Sequence, residues 1–217
     1  MENKDAGTKV FKILAHGDSI TRGYYSNGYR YHPYTDKLKD LLQAKYSHLT
    51  FDITTQGING ETTTFMLNRL KTTFEQTESP KYDCLIILGG LNDMGSKPAE
   101  DIARNLCSMV DLGRQHVTTC CFAVSVPYCF PDCSNSLYKT RKDEVNKILH
   151  DYIKNVKESP PTNHFVDLTQ HHLNFLAMSD TEKQLVFDDR IHYSPEGYDR
   201  LGTAVYKVMK SVIRALK

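Results

Sequence analysis

The segment at residues 17–20, Gly-Asp-Ser-Ile, could do chemistry because of where its serine stands. It directly follows an apolar run at residues 10–16 and precedes a turn-rich stretch. In an open α/β sheet, ligands bind in the crevice at the carboxyl ends of the strands, and a serine there faces that crevice. Ser19 is therefore a candidate nucleophile. A three-residue match also occurs in ordinary polar turns, so the other segments must indicate whether Ser19 is a nucleophile or part of such a turn.

Three further segments lie where predicted strands end or a helix begins, and each offers something that a serine hydroxyl lacks. Residues 56–62 and 89–93 follow the second and third predicted strands, and residues 188–192 precede the last helix. A serine nucleophile needs a base to take its proton, a group that orients the base, and donors for the oxyanion. These segments contain residue types suited to all three tasks.

His192 is the candidate base. It lies just before a helix for which Ser194 is a suitable cap and Pro195 a suitable first residue. A solvated histidine is the alternative, but Asp189 stands three residues earlier and can meet the imidazole across a tight turn. Asp188 is the competing carboxylate, and the three-residue separation favours Asp189.

The candidate oxyanion donors are the backbone N–H groups of Ser19 and Gly60 and the side-chain amide of Asn92. Glycine lets a backbone approach a ligand closely, and an amide donates without carrying charge. Gly57 lies in the same segment as Gly60 and remains an alternative donor.

Apolar runs alternate with helical periodicity along the chain. Several runs are nearly continuous, which is typical of parallel strands covered on both faces. This alternation predicts an α/β fold with a parallel sheet between helices, and no repeat or linker divides it, so residues 1–217 are predicted to form a single domain. The predicted strands are residues 10–16, 51–55, 83–88, 117–126 and 164–168. The predicted helical stripes span residues 34–42, 102–110, 145–156 and 198–212, and the long loops are 127–138 and 169–188, with a short helix around 173–178.

Composition excludes several classes of protein. The chain has 217 residues, 40% of them apolar, and a net charge of +1, so it can bury one core and lacks the basic character of a nucleic-acid binder. No apolar run is long enough to span a membrane, and residues 1–7 lack the pattern of a signal peptide, so we expect a cytoplasmic protein. The sequence does not indicate its oligomeric state. The six cysteines are expected to be thiols. Neither Cys129 with Cys133 nor His171 with His172 makes a strong metal signal.

The four segments together resemble the ordered blocks of the SGNH hydrolases, also called the GDSL esterase/lipase family. The resemblance runs from Ser19 to His192, which is most of the chain. It implies that Ser19 is the nucleophile, His192 the base and Asp189 its orienting group. It also implies an oxyanion hole of Ser19, Gly60 and Asn92, with no metal or cofactor. The fold that it implies is a flavodoxin-like three-layer α/β/α sandwich with about five parallel strands, in agreement with the periodicity.

The resulting hypothesis is a serine ester hydrolase whose substrate is a small-molecule ester. We expect short acyl chains, such as acetyl esters of small alcohols or sugars, and we expect Leu91 and Ile191 to contact the substrate. An acyltransferase that uses the same serine and a non-catalytic ligand-binding module remain alternatives. A phosphate or nucleotide binder is disfavoured, because no glycine-rich phosphate loop follows the first strand. The apolar side chains nearest the site in sequence are Tyr24, Tyr25, Leu91, Met94, Phe130, Leu137 and Ile191.

Overall fold

The computed structural model describes residues 9–76, 82–156 and 160–214. Its strands are β1 (Lys9–Gly17), β2 (Tyr24–Tyr25), β3 (Arg30–Tyr31), β4 (Leu49–Gly57), β5 (Tyr82–Leu88), β6 (Val117–Val124) and β7 (Thr162–Val166). Its helices are α1 (Ser19–Arg22), α2 (Tyr34–Lys45), α3 (Thr63–Glu75), α4 (Ala99–His116), α5 (Pro131–Ser134), α6 (Ser136–Asn155), α7 (Asp180–Val186) and α8 (Pro195–Ile213).

Five parallel strands form the central sheet in the order β4-β1-β5-β6-β7, which confirms the predicted sheet. Helices α2 and α8 pack together on one face, and α3, α4 and α6 cover the other. The predicted three-layer α/β/α arrangement is thus confirmed. Residues 84–88 of β5 are at most 1% exposed, because helices cover both faces of this central strand. Within the described ranges, no helix is long and apolar enough to cross a bilayer.

Strand β4 extends two residues beyond its predicted bounds at each end, whereas β6 and β7 end two residues earlier than predicted. Strand β6 ends at Val124, because the Val126 N–H donates to the Asn146 side chain at 2.7 Å instead of to a neighbouring strand. Strand β7 ends at Val166, because the Asp167 side chain accepts from the Thr169 N–H at 2.9 Å and starts a turn. Side-chain acceptors therefore set both ends, one from α6 and one within the turn after β7.

The two stretches predicted as long loops contain helices. Helix α6 begins at Ser136, nine residues before its predicted stripe, because Asn135 accepts from the Tyr138 N–H. The short α5 precedes it. Helix α7 starts at a capping box of Ser179 and Glu182, a signal that the sequence contained and the periodicity argument missed. The helix expected around residues 173–178 is a single 3-10 turn, Phe175–Ala177.

Arg69 on α3 ties the carboxyl ends of β1 and β4 together. Its guanidinium donates to the Gly17 carbonyl at 3.0 Å and to the Gln56 carbonyl at 3.2 Å, and it pairs with the Glu61 carboxylate. It also contacts His16 Nδ1 at 3.2 Å. One side chain thus fixes two strand ends and the loop that follows β4.

The buried His16 is neutral, with its proton on Nε2. The Arg69 guanidinium can only donate and the Met66 carbonyl, 2.9 Å from His16 Nε2, can only accept. Burial, followed by the charge of Arg69, lowers the pKa of His16 to about 4. Acidification therefore opposes this arrangement, because a protonated ring offers Arg69 no acceptor.

We expect the substitution His16→Gln to alter the pH dependence of stability. The pKa of His16 falls from about 6.5 in the unfolded chain to about 4 in the fold, so the unfolded chain binds more protons in that window. Acidification from pH 7 to pH 4.5 should therefore lower the free energy of unfolding of the wild type through His16, and the variant has no such loss. The excess in free energy of unfolding of the wild type over the variant, measured by urea denaturation, should shrink. A gap that stays constant across this range would contradict the assignment.

Candidate active site

The candidate nucleophile stands on a tight connection between β1 and α1. Asp18 caps the short helix, since its Oδ1 accepts from the Ile20 N–H at 2.9 Å. A Cβ at Gly17 would come within 2.1 Å of Thr21 Oγ1 and 2.2 Å of the Leu88 carbonyl, so this turn has room only for glycine. The result is that Ser19 sits at the carboxyl end of the sheet and is 6% exposed.

A continuous hydrogen-bond chain joins Ser19, His192 and Asp189. Ser19 Oγ lies 3.0 Å from His192 Nε2, and His192 Nδ1 lies 2.8 Å from Asp189 Oδ2. An ionised carboxylate only accepts, so Nδ1 carries the hydrogen and Nε2 is left to accept from the serine hydroxyl. The structure thus brings the three predicted residues into the order that a serine nucleophile requires.

Asp189 is held in its ionised form by what surrounds it. Partial burial by itself raises the pKa of this carboxyl, but hydrogen bonds from the His192 ring and from two backbone N–H groups outweigh burial. Those donors are the N–H groups of Ile191 and His192, both 2.6 Å from Asp189 Oδ1. The net effect lowers the pKa of Asp189 to about 2. The carboxylate is therefore charged across the neutral range.

Asp188 points elsewhere. Its Oδ2 accepts from the Ser26 N–H at 2.7 Å, and its own N–H donates to the His192 carbonyl at 3.0 Å. The carboxylate thereby ties the β2–β3 hairpin to the turn that carries the imidazole. Of the two adjacent acids, the structure places Asp189 against His192, as the spacing predicts.

Asn92 lies between the loops that carry Ser19 and Gly60. Its Nδ2 donates to the Glu61 carbonyl at 3.0 Å and lies 3.4 Å from Asp18 Oδ2. The first contact orients the amide. The second is long for a hydrogen bond, so this hydrogen is the one that an incoming oxyanion can recruit.

The two candidate glycines of the loop after β4 differ in their surroundings. Gly60 has φ +74° and an exposed position where an added Cβ would meet nothing within 4 Å, so its backbone conformation is what favours glycine. Gly57 is the last residue of β4, and a Cβ there would lie 2.2 Å from the Arg22 nitrogen. This packing favours Gly60 over Gly57 as the group that faces a ligand.

Two other acids of the motifs are buried and hold backbone. Asp93 accepts from the Thr63 N–H at 2.9 Å and from its hydroxyl at 3.1 Å, which joins the Asn92 turn to α3. Burial raises the pKa of Asp93, and burial raises that of Asp18 to about 7 against the hydrogen bond from Ile20. Both side chains tie loops in place, as the sequence analysis expects.

The apolar residues expected around the site divide into two groups. Leu91 is 5% exposed and Met94 1% exposed, so both side chains belong chiefly to the core. Ile191 is half-buried beside His192. The Tyr24 ring lies against the His192 ring, with 4.4 Å between centroids.

The remaining residues of that set lie farther out. Tyr25 is half-buried, whereas Phe130 and Leu137 are exposed. The Phe130 ring lies 3.9 Å from the Arg190 guanidinium. The backbone N–H of Phe130 donates to the Arg190 carbonyl at 3.0 Å. The loop after β6 thus borders the turn that carries Asp189 and His192.

Sequence reasoning missed the side chains that support the site from a distance. Arg69 and Glu61 fix the strand ends, and Arg22 lies 4.5 Å above the Tyr31 ring. Only the fold shows these contacts, because each joins elements whose relative position no local pattern gives.

Metal ligands and disulfides take no part in the described geometry. Among residues 9–76, 82–156 and 160–214, no group of three or more His, Cys, Asp or Glu side chains is arranged to hold a metal ion. The six cysteines are free thiols, with Cys129 buried and Cys133 exposed.

Comparison with known proteins places this geometry in context. The family model described as "GDSL-like Lipase/Acylhydrolase family" matches residues 15–200. A search of curated proteins found no match. Solved structures do match, and at their low sequence identities the likeness shows the fold.

Three of these structures illustrate the likeness. The lipase/acylhydrolase from Enterococcus faecalis has a TM-score of 0.68 and 22% identity, and the match covers 91% of this chain and 94% of that one. A Clostridium thermocellum family 3 carbohydrate esterase has a TM-score of 0.70 and 20% identity, over 96% and 99% of the chains. An acetyl xylan esterase from Geobacillus stearothermophilus has a TM-score of 0.68 and 21% identity, over 91% and 93%.

The neighbouring acids provide a matched pair of substitutions. We expect Asp189→Asn to lower the hydrolysis of 4-nitrophenyl acetate at pH 7 by roughly 10³- to 10⁴-fold, because an amide favours the wrong tautomer of His192. Asp188→Asn should cost only a few-fold, because its amide oxygen still accepts from Ser26. Steady-state kinetics of both variants provide the measurement. A larger loss for Asp188→Asn would mean that the orienting carboxylate is Asp188.

Proposed function

Because the chain belongs to the GDSL-like lipase/acylhydrolase family, and is thus a carboxylic ester hydrolase, we propose that it cleaves small, short-chain esters through an acyl-enzyme formed on Ser19. One observation carries this proposal. The hydrogen-bond chain from Ser19 through His192 to Asp189 is unbroken and lies at the carboxyl ends of the strands, where ligands bind in this class of fold.

The first half of the reaction acylates the serine. His192 Nε2 accepts the proton of Ser19 Oγ as that oxygen attacks the ester carbonyl, and Asp189 stabilises the imidazolium that forms. The carbonyl oxygen becomes negative and is stabilised by the Ser19 N–H, the Gly60 N–H and the Asn92 amide. His192 then returns the proton to the leaving alcohol.

Water completes the cycle by the same steps. His192 takes a proton from water as the water attacks the acyl-enzyme, and the acid departs when Ser19 regains its proton. If an alcohol replaced water here, the product would be a new ester and the enzyme an acyltransferase. The two reactions share every residue of the site, and the acceptor alone distinguishes them.

The surroundings of Asn92 support a short acyl group. Leu91 and Met94 lie on the Asn92 turn and are 5% and 1% exposed, so they present little apolar surface to a long acyl chain. Two of the similar structures are described as a carbohydrate esterase and an acetyl xylan esterase. We therefore place acetyl esters of small alcohols or sugars first among the substrates, with Leu91 and Ile191 next to the reacting group.

The oxyanion role of Asn92 has a direct test. We expect Asn92→Ala to lower kcat by about 10²- to 10³-fold, the scale of losing one oxyanion donor, while the fold stays intact. Asn68→Ala is the matched control, because Asn68 lies exposed on α3. Steady-state kinetics and circular dichroism check both variants. Nearly unchanged turnover in Asn92→Ala would make Asn92 a structural residue.

The nucleophile can be identified chemically. A fluorophosphonate probe should label Ser19 alone, because its hydroxyl is hydrogen-bonded to an imidazole that Asp189 orients. Peptide mapping locates the label. The acyl-chain preference is measured separately with 4-nitrophenyl esters from acetate to decanoate, and hydrolysis should be fastest for the shortest acyl groups. Ser19→Ala should abolish both labelling and turnover. A label on another serine, or equal turnover in Ser19→Ala, would overturn the assignment.

A further inference from the structure

The mechanism fixes the side of the site on which the alcohol part of the ester lies. The leaving oxygen must receive its proton from His192 Nε2, so the alcohol departs next to the imidazole. The acyl carbonyl points the other way, toward Asn92 and Gly60. Tyr24 is the aromatic ring in contact with the imidazole, 4.4 Å between centroids, so it borders the space that the alcohol occupies.

An aromatic and hydrogen-bonding surface continues outward from Tyr24. The Tyr31 ring meets the Tyr24 ring edge to face at 6.3 Å, and the Arg22 guanidinium lies 4.5 Å above Tyr31. The Asn59 amide lies 3.4 Å from the Tyr31 hydroxyl. We call these four residues, Arg22, Tyr24, Tyr31 and Asn59, the tyrosine ledge. All but the half-buried Tyr24 are exposed.

Three hydrogen bonds hold the backbone that carries the ledge. The Tyr24 carbonyl accepts from the Tyr198 hydroxyl at 2.7 Å, and the Gly23 carbonyl accepts from the His32 N–H at 2.7 Å. Asp188 holds the Ser26 N–H at 2.7 Å on the turn that carries His192. A surface fixed at three points needs little ordering when a ligand arrives, which reduces the cost of binding.

The ledge offers two kinds of contact at once. The Tyr24 ring and the face of Tyr31 that Arg22 does not cover can pack against apolar C–H groups, while the Arg22 guanidinium, the Asn59 amide and the Tyr31 hydroxyl can form hydrogen bonds. Within the described part of the chain, no carboxylate pairs with Arg22, so its donors are open to a ligand. An alkyl alcohol would shield these donors from water without replacing the hydrogen bonds, whereas hydroxyl groups would replace them.

A sugar ring has this combination, with a C–H face and hydroxyl groups around its edge. From the geometry of the ledge we propose that it is the alcohol subsite of the enzyme and that it selects sugar esters over esters of apolar alcohols. The proposal rests on the proposed function and deepens it, since the ledge lies on the leaving-group side of the same His192.

Two acetate esters of six-membered rings, one polar and one apolar, test the proposal. The first is a monoacetylated methyl xyloside and the second is cyclohexyl acetate, which has a six-membered ring without hydroxyl groups. We expect the wild type to have the higher kcat/KM for the xyloside ester. Tyr31→Ala should lower the ratio of the two kcat/KM values by about 5- to 10-fold, mostly through KM for the sugar ester.

Two more variants make the test specific. Arg22→Gln should lower the same ratio, because it removes the guanidinium group from the ledge. Tyr29→Ala is the matched control, because Tyr29 belongs to the same hairpin, is 87% exposed and has no contact with the ledge rings. Its ratio should equal that of the wild type. Equal kcat/KM for both esters in the wild type, or an unchanged ratio in Tyr31→Ala, would overturn the proposal.

Failure of the subsite and failure of the esterase mechanism give different results. If cyclohexyl acetate and 4-nitrophenyl acetate are hydrolysed by Ser19 but the sugar ester is not preferred, only the ledge proposal fails. If no ester is hydrolysed and the fluorophosphonate probe leaves Ser19 unlabelled, the proposed function fails as well.

Discussion

The pairing of β1 between β4 and β5 is the constraint on which the site depends. Gly17 pairs with Gly57 on one side and with Leu88 on the other, so three strands end at one level. The loops that follow carry Ser19, Gly60 and Asn92, which are far apart in sequence. Arg69 then joins two of these ends by side-chain hydrogen bonds. A shift of one residue in this register would move Ser19 away from Gly60 and Asn92.

Much of this arrangement could be predicted from the sequence, because its signals are local. The nearly continuous apolar runs gave the five strands, and the three-residue spacing pointed to Asp189 as the partner of His192. The contacts of Arg69 and the position of Tyr31 could not be predicted, since they depend on how a helix and a hairpin lie on the sheet. Helix α7 is a different case, because its capping box at Ser179 was readable but its short length gave no periodic stripe.

The acids of the site show how surroundings separate residues of one type. Asp189 receives three hydrogen bonds and its pKa falls to about 2, whereas burial raises the pKa of Asp18 to about 7. Asp189 can therefore stabilise an imidazolium at neutral pH. With a pKa of about 7, Asp18 is partly protonated at neutral pH, so it places less negative charge beside the Asn92 amide than an ordinary aspartate would. Burial of Asp18 and hydrogen bonding of Asp189 therefore shift the pKa values of the two carboxyls in opposite directions.

The adjacent acids also connect chemistry with substrate choice. Asp189 orients the His192 imidazole, and Asp188 holds the hairpin that carries Tyr24 and Tyr31. Both belong to one turn, so the base and the surface beside it keep a fixed distance. The side chain of Leu91, next to Asn92, is buried and presents little surface to a ligand. If this hairpin borders the alcohol part of the ester, as we propose, a change in its sequence would alter the choice of alcohol without altering the hydrogen-bond chain.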